Sequence, residues 1–275
     1  MMATGWEIHP FNDGFDWQDR TGPFQIISDA QAAQYNQDGF FLLKNAFSAG
    51  EIAAVTEAID PLEQMTEGFL KTQKNGEMFI AKADEITFTI NCVLHNELLK
   101  KFCGHEVFGK LCADLMGPDC RLYWDQAVYK KPEPEREFPW HQDNGYTFIR
   151  PQQYLTCWVA LNDATIDNGC PWVVPGLHKE GTLKHWMTPL GWRCVEDAPD
   201  AVAVEAKAGD IVVFSSLTPH RTGPNATDGV RKSYIVQFAP DGAHMTNPDG
   251  SIGEPCTIPE RQYSVVENGV PCATA

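Results

Sequence analysis

Hydrophobic residues over the first 117 positions recur mainly at helical spacing, and from about position 118 they gather into short runs bounded by Gly, Pro, Asn and Asp. Ser28 stands as an N-cap before Asp29-Ala-Gln-Ala-Ala-Gln-Tyr35, and Ser48-Ala-Gly-Glu51 matches a capping box opening a helix that runs to about Leu62. Between them, Gly39-Phe-Phe-Leu-Leu43 suits a short buried strand. From Asn96 to Met116, apolar positions at Leu98, Leu99, Phe102, Val107, Phe108, Leu111 and Leu115 predict a long helix or a helix pair, despite Gly104 and Gly109. Strands are expected at 122–129, 154–161, 172–174, 202–205, 211–214 and 233–238. The expectation is a mainly β protein with flanking helices, its core a double-sheet barrel. A single domain over 1–275 is expected, with an α-rich flank and first strands at 1–117, the core at 118–240 and a tail at 241–275.

The formal net charge of −16, with an isoelectric point near 4.8, argues against nucleic acid, whose phosphates need a basic surface. It also disfavours substrates carrying several phosphates and favours neutral or cationic ones. Nine cysteines lack CxxC spacing, as expected of reduced thiols in a cytoplasmic protein. The opening MMATGWEIHPFNDGFDW has no basic, then apolar, leader, and no 18-residue apolar stretch could span a bilayer.

The chemistry concentrates in Pro139-Trp-His-Gln-Asp-Asn-Gly145. In extended chain, His141 and Asp143 face the same way and can meet one ion. Thr218-Pro-His-Arg-Thr222 follows the strand 211–214 and supplies His220 as a third ligand. Two imidazoles and one carboxylate on one triangular face leave the opposite face of Fe(II) open for a co-substrate and oxygen. Arg231, eleven residues on at the head of the next strand, offers a two-pronged grip for a dicarboxylic keto acid. Ser233 should face inward beside it, and could share that carboxylate or be an ordinary inward hydroxyl. Trp140, Tyr146 and Phe214 suit wall or core positions.

These motifs, with Gln34-Tyr-Asn-Gln-Asp-Gly-Phe-Phe-Leu-Leu43, Asp167-Asn-Gly-Cys-Pro-Trp-Val-Val-Pro-Gly176 and Gly209-Asp-Ile-Val-Val-Phe214, resemble the phytanoyl-CoA dioxygenase family of iron(II)- and 2-oxoglutarate-dependent oxygenases. The resemblance implies a double-stranded β-helix, or jelly roll, with molecular oxygen as the oxidant. By position it makes His141, Asp143 and His220 the iron ligands and Arg231 the 2-oxoglutarate anchor. It makes Thr222 an aid to that carboxylate, and Trp158 and Gln126 pocket-lining residues. One departure is Leu177, where the family often carries Ser; His178 beside it reads as a loop residue and not a ligand.

Hydroxylation of a small organic molecule is the expected reaction, with desaturation or rearrangement also open. Phytanoyl-CoA itself fits poorly with the acidity and with a chain end, Ala273-Thr-Ala275, that carries no obvious peroxisomal signal, so a secondary metabolite is the expected substrate class. The rival is a cupin-type hydrolase or isomerase holding Zn(II) or Mn(II), against which Arg231 speaks, since activating water needs no buried dicarboxylate clamp. Leu70–Phe79 with Ala81–Glu85, His185–Arg193 and the tail are candidate lids, the tail alternatively meeting a second subunit in a homodimer.

Overall fold

The computed structural model describes residues 3–272; Ala273-Thr-Ala275 lies outside the described residues. Helix α1 (Asp29–Asp38) is closed at its head by Ser28, whose hydroxyl accepts from the Gln31 N–H while the Gln31 side chain answers the Ser28 N–H. It stops at Gly39, which takes the left-handed conformation (φ 83°) that glycine adopts without a Cβ penalty. Helix α2 (Ala49–Lys71) starts from the predicted Ser48/Glu51 box, accommodates Pro61 and continues nine residues past Leu62. Proline there removes one ladder hydrogen bond, and tertiary anchors outweigh that loss. Lys131 reaches Glu63 at 3.3 Å and Glu67 at 2.7 Å, and the Thr87 hydroxyl donates to Glu63 at 2.9 Å. The region 96–116 is a pair, α3 (Glu97–Cys103) and α4 (Glu106–Leu115), broken at Gly104 and His105.

The strands that matter for the site are β1 (Phe40–Leu43), β2 (Ile86–Ile90), β3 (Cys120–Lys130), β4 (Phe138–His141), β5 (Leu155–Ala160), β6 (Pro171–Val173), β7 (Ile211–Ser215), β8 (His220–Thr222) and β9 (Arg231–Pro240). The major sheet runs β1-β7-β5-β9-β3-β2 and is extended by a small hairpin, Glu77–Met78 with Ala81–Lys82. The minor sheet runs from Val202–Ala203 through β6 and β8 to β4. Every pairing is antiparallel. Two facing sheets of this kind make a jelly roll.

Alternation gives the major sheet two apolar faces. One carries Phe41, Leu122, Val159, Val213, Tyr234 and Phe238 into a core shared with Val55, Ile59, Leu99, Phe108 and Leu111 of the helices. The other carries Phe40, Trp158, Val212, Phe214 and Ile235 toward the minor sheet. Strand β5 is buried along its whole length, which is why Leu155 to Ala160 reads as a nearly continuous apolar run.

The tail adds a strand, Ser264–Glu267, beside the start of β3, and also contributes Met245, Arg261 and Gln262 to the central cavity. All nine cysteines are unpaired and only Cys272 is not buried. Among the described residues, no helix is long and apolar enough to cross a membrane.

Candidate active site

His141 ends β4 and His220 begins β8, and the two are direct partners in the antiparallel register. Their ring centroids lie 4.1 Å apart. Strand hydrogen bonding stops at His141, but Gln142 keeps extended backbone (φ −109°, ψ 144°), so Asp143 still projects to the same side before the chain turns over Asp143–Gly145. Gln142 itself points the other way and is fully engaged: its amide donates to Gly181 O (2.9 Å) and Leu217 O (2.5 Å) and accepts from the Leu183 N–H (2.6 Å). This buried amide fixes the turn that carries the carboxylate.

One ligand atom from each of His141, Asp143 and His220 lies within 4.8 Å of the others. Each imidazole spends Nδ1 on a backbone carbonyl, His141 on Pro139 at 2.8 Å and His220 on Thr218 at 3.0 Å. That fixes the tautomer and turns both Nε2 lone pairs to the shared point. Asp143 Oδ2 accepts from the Thr156 hydroxyl at 2.6 Å, while Oδ1 sits 3.7 Å from His220 Nε2. Burial, reinforced by the neighbouring His220, pushes His141 well below the usual imidazole range, keeping it neutral and able to coordinate. The donor set therefore fits a divalent metal, with Thr156 orienting the carboxylate.

Arg231 is wholly buried. Its Nη1 donates to Ser233 Oγ at 2.6 Å, and its guanidinium lies 5.2 Å from the Trp158 ring centre. Nε and Nη2 find no acceptor among the described residues, and burial pulls the group down to about 10. A buried cation with two free donors is costly unless an anion meets it. Directly across the ladder stands a second buried cation, Lys130, donating to Gly223 O and lowered to about 7 by burial and then by Arg231. The arrangement suits an anionic ligand.

The triad and Arg231 line one cavity of about 780 Å³, together with Thr222, Gln126, Trp158, Tyr146 and Phe214. Trp140 is buried outside it under the Arg221 guanidinium. Ser233 is buried beneath Arg231, its hydroxyl shared between that guanidinium and Val128 O, so it steadies the arginine. Gln126 accepts from Trp124 Nε1 at 3.2 Å. His178 is buried in the turn Leu177–Glu180 against the edge of Trp17. Of the three candidate lids, each sends side chains into the cavity: Met78, Phe79 and Ile80 from the hairpin, Trp192 from the segment after His185, and the tail residues named above.

Thr156 and Gln142 went unread in the sequence, and Lys130 was not read as part of the site. The signal for Lys130 is a charged residue closing the buried run 127–130 at the end of its strand, and for Thr156 a hydroxyl inside an apolar run.

A jelly roll with two histidines, one carboxylate and a buried arginine on its inner faces is the architecture of the iron(II)- and 2-oxoglutarate-dependent oxygenases. The sequence profile of phytanoyl-CoA dioxygenase (PhyH) matches residues 35–233, and the chain belongs to that family of Fe(II)- and 2-oxoglutarate-dependent dioxygenases. It is 24% identical over 254 residues to a phytanoyl-CoA dioxygenase of Arabidopsis thaliana, covering 78% of this chain and 87% of that one. It is 26% identical over 266 residues to a probable phytanoyl-CoA dioxygenase of Caenorhabditis elegans, covering 86% and 83%. Among solved structures, the fold is shared with SnoK, a non-haem α-ketoglutarate-dependent carbocyclase from nogalamycin biosynthesis (TM-score 0.68, 23% identity, 86% of this chain and 96% of that one). It is shared too with EvdO2 from Micromonospora carbonacea, solved with 2-oxoglutarate (TM-score 0.62, 23% identity, 84% and 94%).

Proposed function

We propose that this dioxygenase, acting as a single domain, oxidises a bulky small molecule of secondary metabolism, with hydroxylation of a C–H bond as its reaction. His141, Asp143 and His220 would hold Fe(II), and Arg231, steadied by Ser233 and Trp158, would bind the far carboxylate of 2-oxoglutarate, with Thr222 beside it. The observation that carries this reading is Arg231: wholly buried, with two donors unanswered, in the same cavity as the three ligands. When bound, iron with 2-oxoglutarate supplies an oxidant made from molecular oxygen, with succinate and carbon dioxide as the by-products. The chain orients that chemistry. Thr156 holds Asp143 in place, the carbonyls of Pro139 and Thr218 set the imidazole tautomers, and Tyr146 and Phe214 pack edgewise or tilted against the two rings and keep water from them.

A coenzyme A thioester suits the cavity poorly. Arg231 and Arg261 are the only lysine or arginine side chains among the described residues lining it, whereas several phosphates call for a basic cluster.

The test is anaerobic titration of metal-free protein with Fe(II) and 2-oxoglutarate, following the weak visible charge-transfer band of the chelate. The band should form in wild type, vanish in His220→Ala, and in Arg231→Ala require about 100-fold more 2-oxoglutarate, the worth of two charge-assisted hydrogen bonds at roughly 1.5 kcal/mol each. Absence of the band from a wild-type protein that binds zinc tightly would sink the oxygenase assignment of these residues and favour the hydrolase.

A further inference from the structure

The far end of the cavity holds a cation that the chemistry described so far does not use. Arg261 sits in the turn just before the strand Ser264–Glu267 and lines the cavity. The turn is fixed: the neighbouring Gln262 is buried, its amide donating to Tyr123 O at 3.2 Å and accepting from the Ile258 N–H at 2.9 Å. Arg121 adds a bond to Gln262 O at 3.2 Å. The guanidinium itself lies 5.8 Å from the centre of the Trp124 ring and has no hydrogen-bond or ion-pair partner among the described residues. The carboxylate of Asp125 points to the opposite face of β3, where Oδ2 accepts from Tyr234 and Val93. Arg261 is therefore fixed by its backbone, and its guanidinium, over the Trp124 ring and within the electrostatic reach of Asp125, keeps its hydrogen-bond donors open.

The sheet register places this cation relative to the triad. Trp124 of β3 and Thr156 of β5 both pair with Gln237 of β9. The platform under Arg261 thus stands two strand spacings, roughly 10 Å, from the threonine that holds Asp143. Arg231 lies six residues away along β9, roughly 20 Å, so a molecule the size of 2-oxoglutarate cannot engage both arginines. The cavity walls are mostly apolar and aromatic, with Phe88, Ile90, Tyr123, Tyr146, Trp192 and Met245 among them, while Gln237, between Trp124 and Thr156 in the register, puts one amide on the way to the metal ligands.

We propose that the substrate is a largely apolar molecule, fused-ring or long-chain, bearing a single carboxylate that Arg261 binds while the carbon to be oxidised lies at the triad. This rests on the oxygenase reading and narrows its substrate class. It also replaces the expectation, drawn from the net charge, of a neutral or cationic substrate. Surface charges are screened within about 8 Å at physiological salt, so the groups lining the cavity decide, and among the described residues Asp143 is the one carboxylate there. The flat faces of Trp124 and Trp192 favour ring systems, which stack on them.

A matched pair of probes separates the carboxylate from the skeleton: 1-pyrenebutyric acid and 1-pyrenebutanol, titrated into protein loaded with Ni(II) and 2-oxoglutarate and followed by tryptophan-to-pyrene energy transfer. The acid should bind at least tenfold more tightly than the alcohol in wild type, Arg261→Gln should reduce that ratio to about one, and Arg261→Lys should retain most of it. Equal binding in wild type, a preference that survives Arg261→Gln, or no binding of either probe would each overturn the proposal. Calorimetric binding of 2-oxoglutarate to the Ni(II) protein, run in parallel, tests the underlying reading separately. If 2-oxoglutarate binds and the probe ratio fails, only the substrate class is wrong; if 2-oxoglutarate does not bind, the oxygenase assignment of the site falls.

Discussion

Replacing Lys130 by methionine measures how much a buried cation facing Arg231 costs the fold. The amine is almost wholly buried, and burial, followed by repulsion from Arg231, takes it from 10.5 to about 7. For a base, a lowered folded value means that folding favours the neutral form. The penalty is present in full below pH 7, shrinks as pH rises from 7 to 10.5, and is gone above that. The change from 10.5 to about 7 is worth about 5 kcal/mol, each tenfold in proton affinity counting about 1.36 kcal/mol, of which about 4 kcal/mol remains at pH 7 where the folded amine is half neutral. Methionine matches the lysine stem in length but leaves Gly223 O without its donor, a loss of about 1 kcal/mol. The variant should therefore be more stable than wild type by roughly 3 kcal/mol at pH 7, raising Tm by about 6 °C for a chain of this size. At pH 10 the two should be level. Urea unfolding at both pH values, with scanning calorimetry, reads the difference directly. A variant less stable at pH 7, or a gain that persists at pH 10, would refute the reasoning.

Two further outcomes are expected. Thr156→Val removes the 2.6 Å hydrogen bond that orients Asp143, and anaerobic Fe(II) titration should show metal affinity falling about tenfold; unchanged affinity would mean the carboxylate is held by its turn alone. Thiol titration of native protein with an aromatic disulfide should find about one fast-reacting group, Cys272, and all nine after unfolding, since the other eight are buried. Several fast thiols in the native state would contradict the packing around α3 and α4.

The parts legible in the sequence were those set by local rules. Both serine-capped helices begin where their cap residues stand, and the His-x-Asp spacing brings two side chains to one side because Gln142 stays extended. What escaped was set by distant contacts. Nothing near Pro61 announces that Lys131, seventy residues later, holds the far half of α2 against the barrel. Ile86-Thr-Phe-Thr-Ile90 alternates clearly but sits inside a polar stretch that reads as a connection, and it becomes a strand because β3 offers an edge. The pairing of His220 with His141, and of Lys130 with Arg231, depends on sheet register, which composition does not encode.

Helix α2 divides its duties by face. Ile52, Val55 and Ile59 are locked into the core, while Met65 and Phe69, 72% and 50% exposed, border the cavity mouth and touch neither the metal ligands nor the core. Substitutions at those two positions reshape the mouth at little cost to folding. A lineage carrying this scaffold can thus drift toward new substrates one neutral change at a time, with the oxidising centre left intact, which gives one barrel room to diversify across many metabolites.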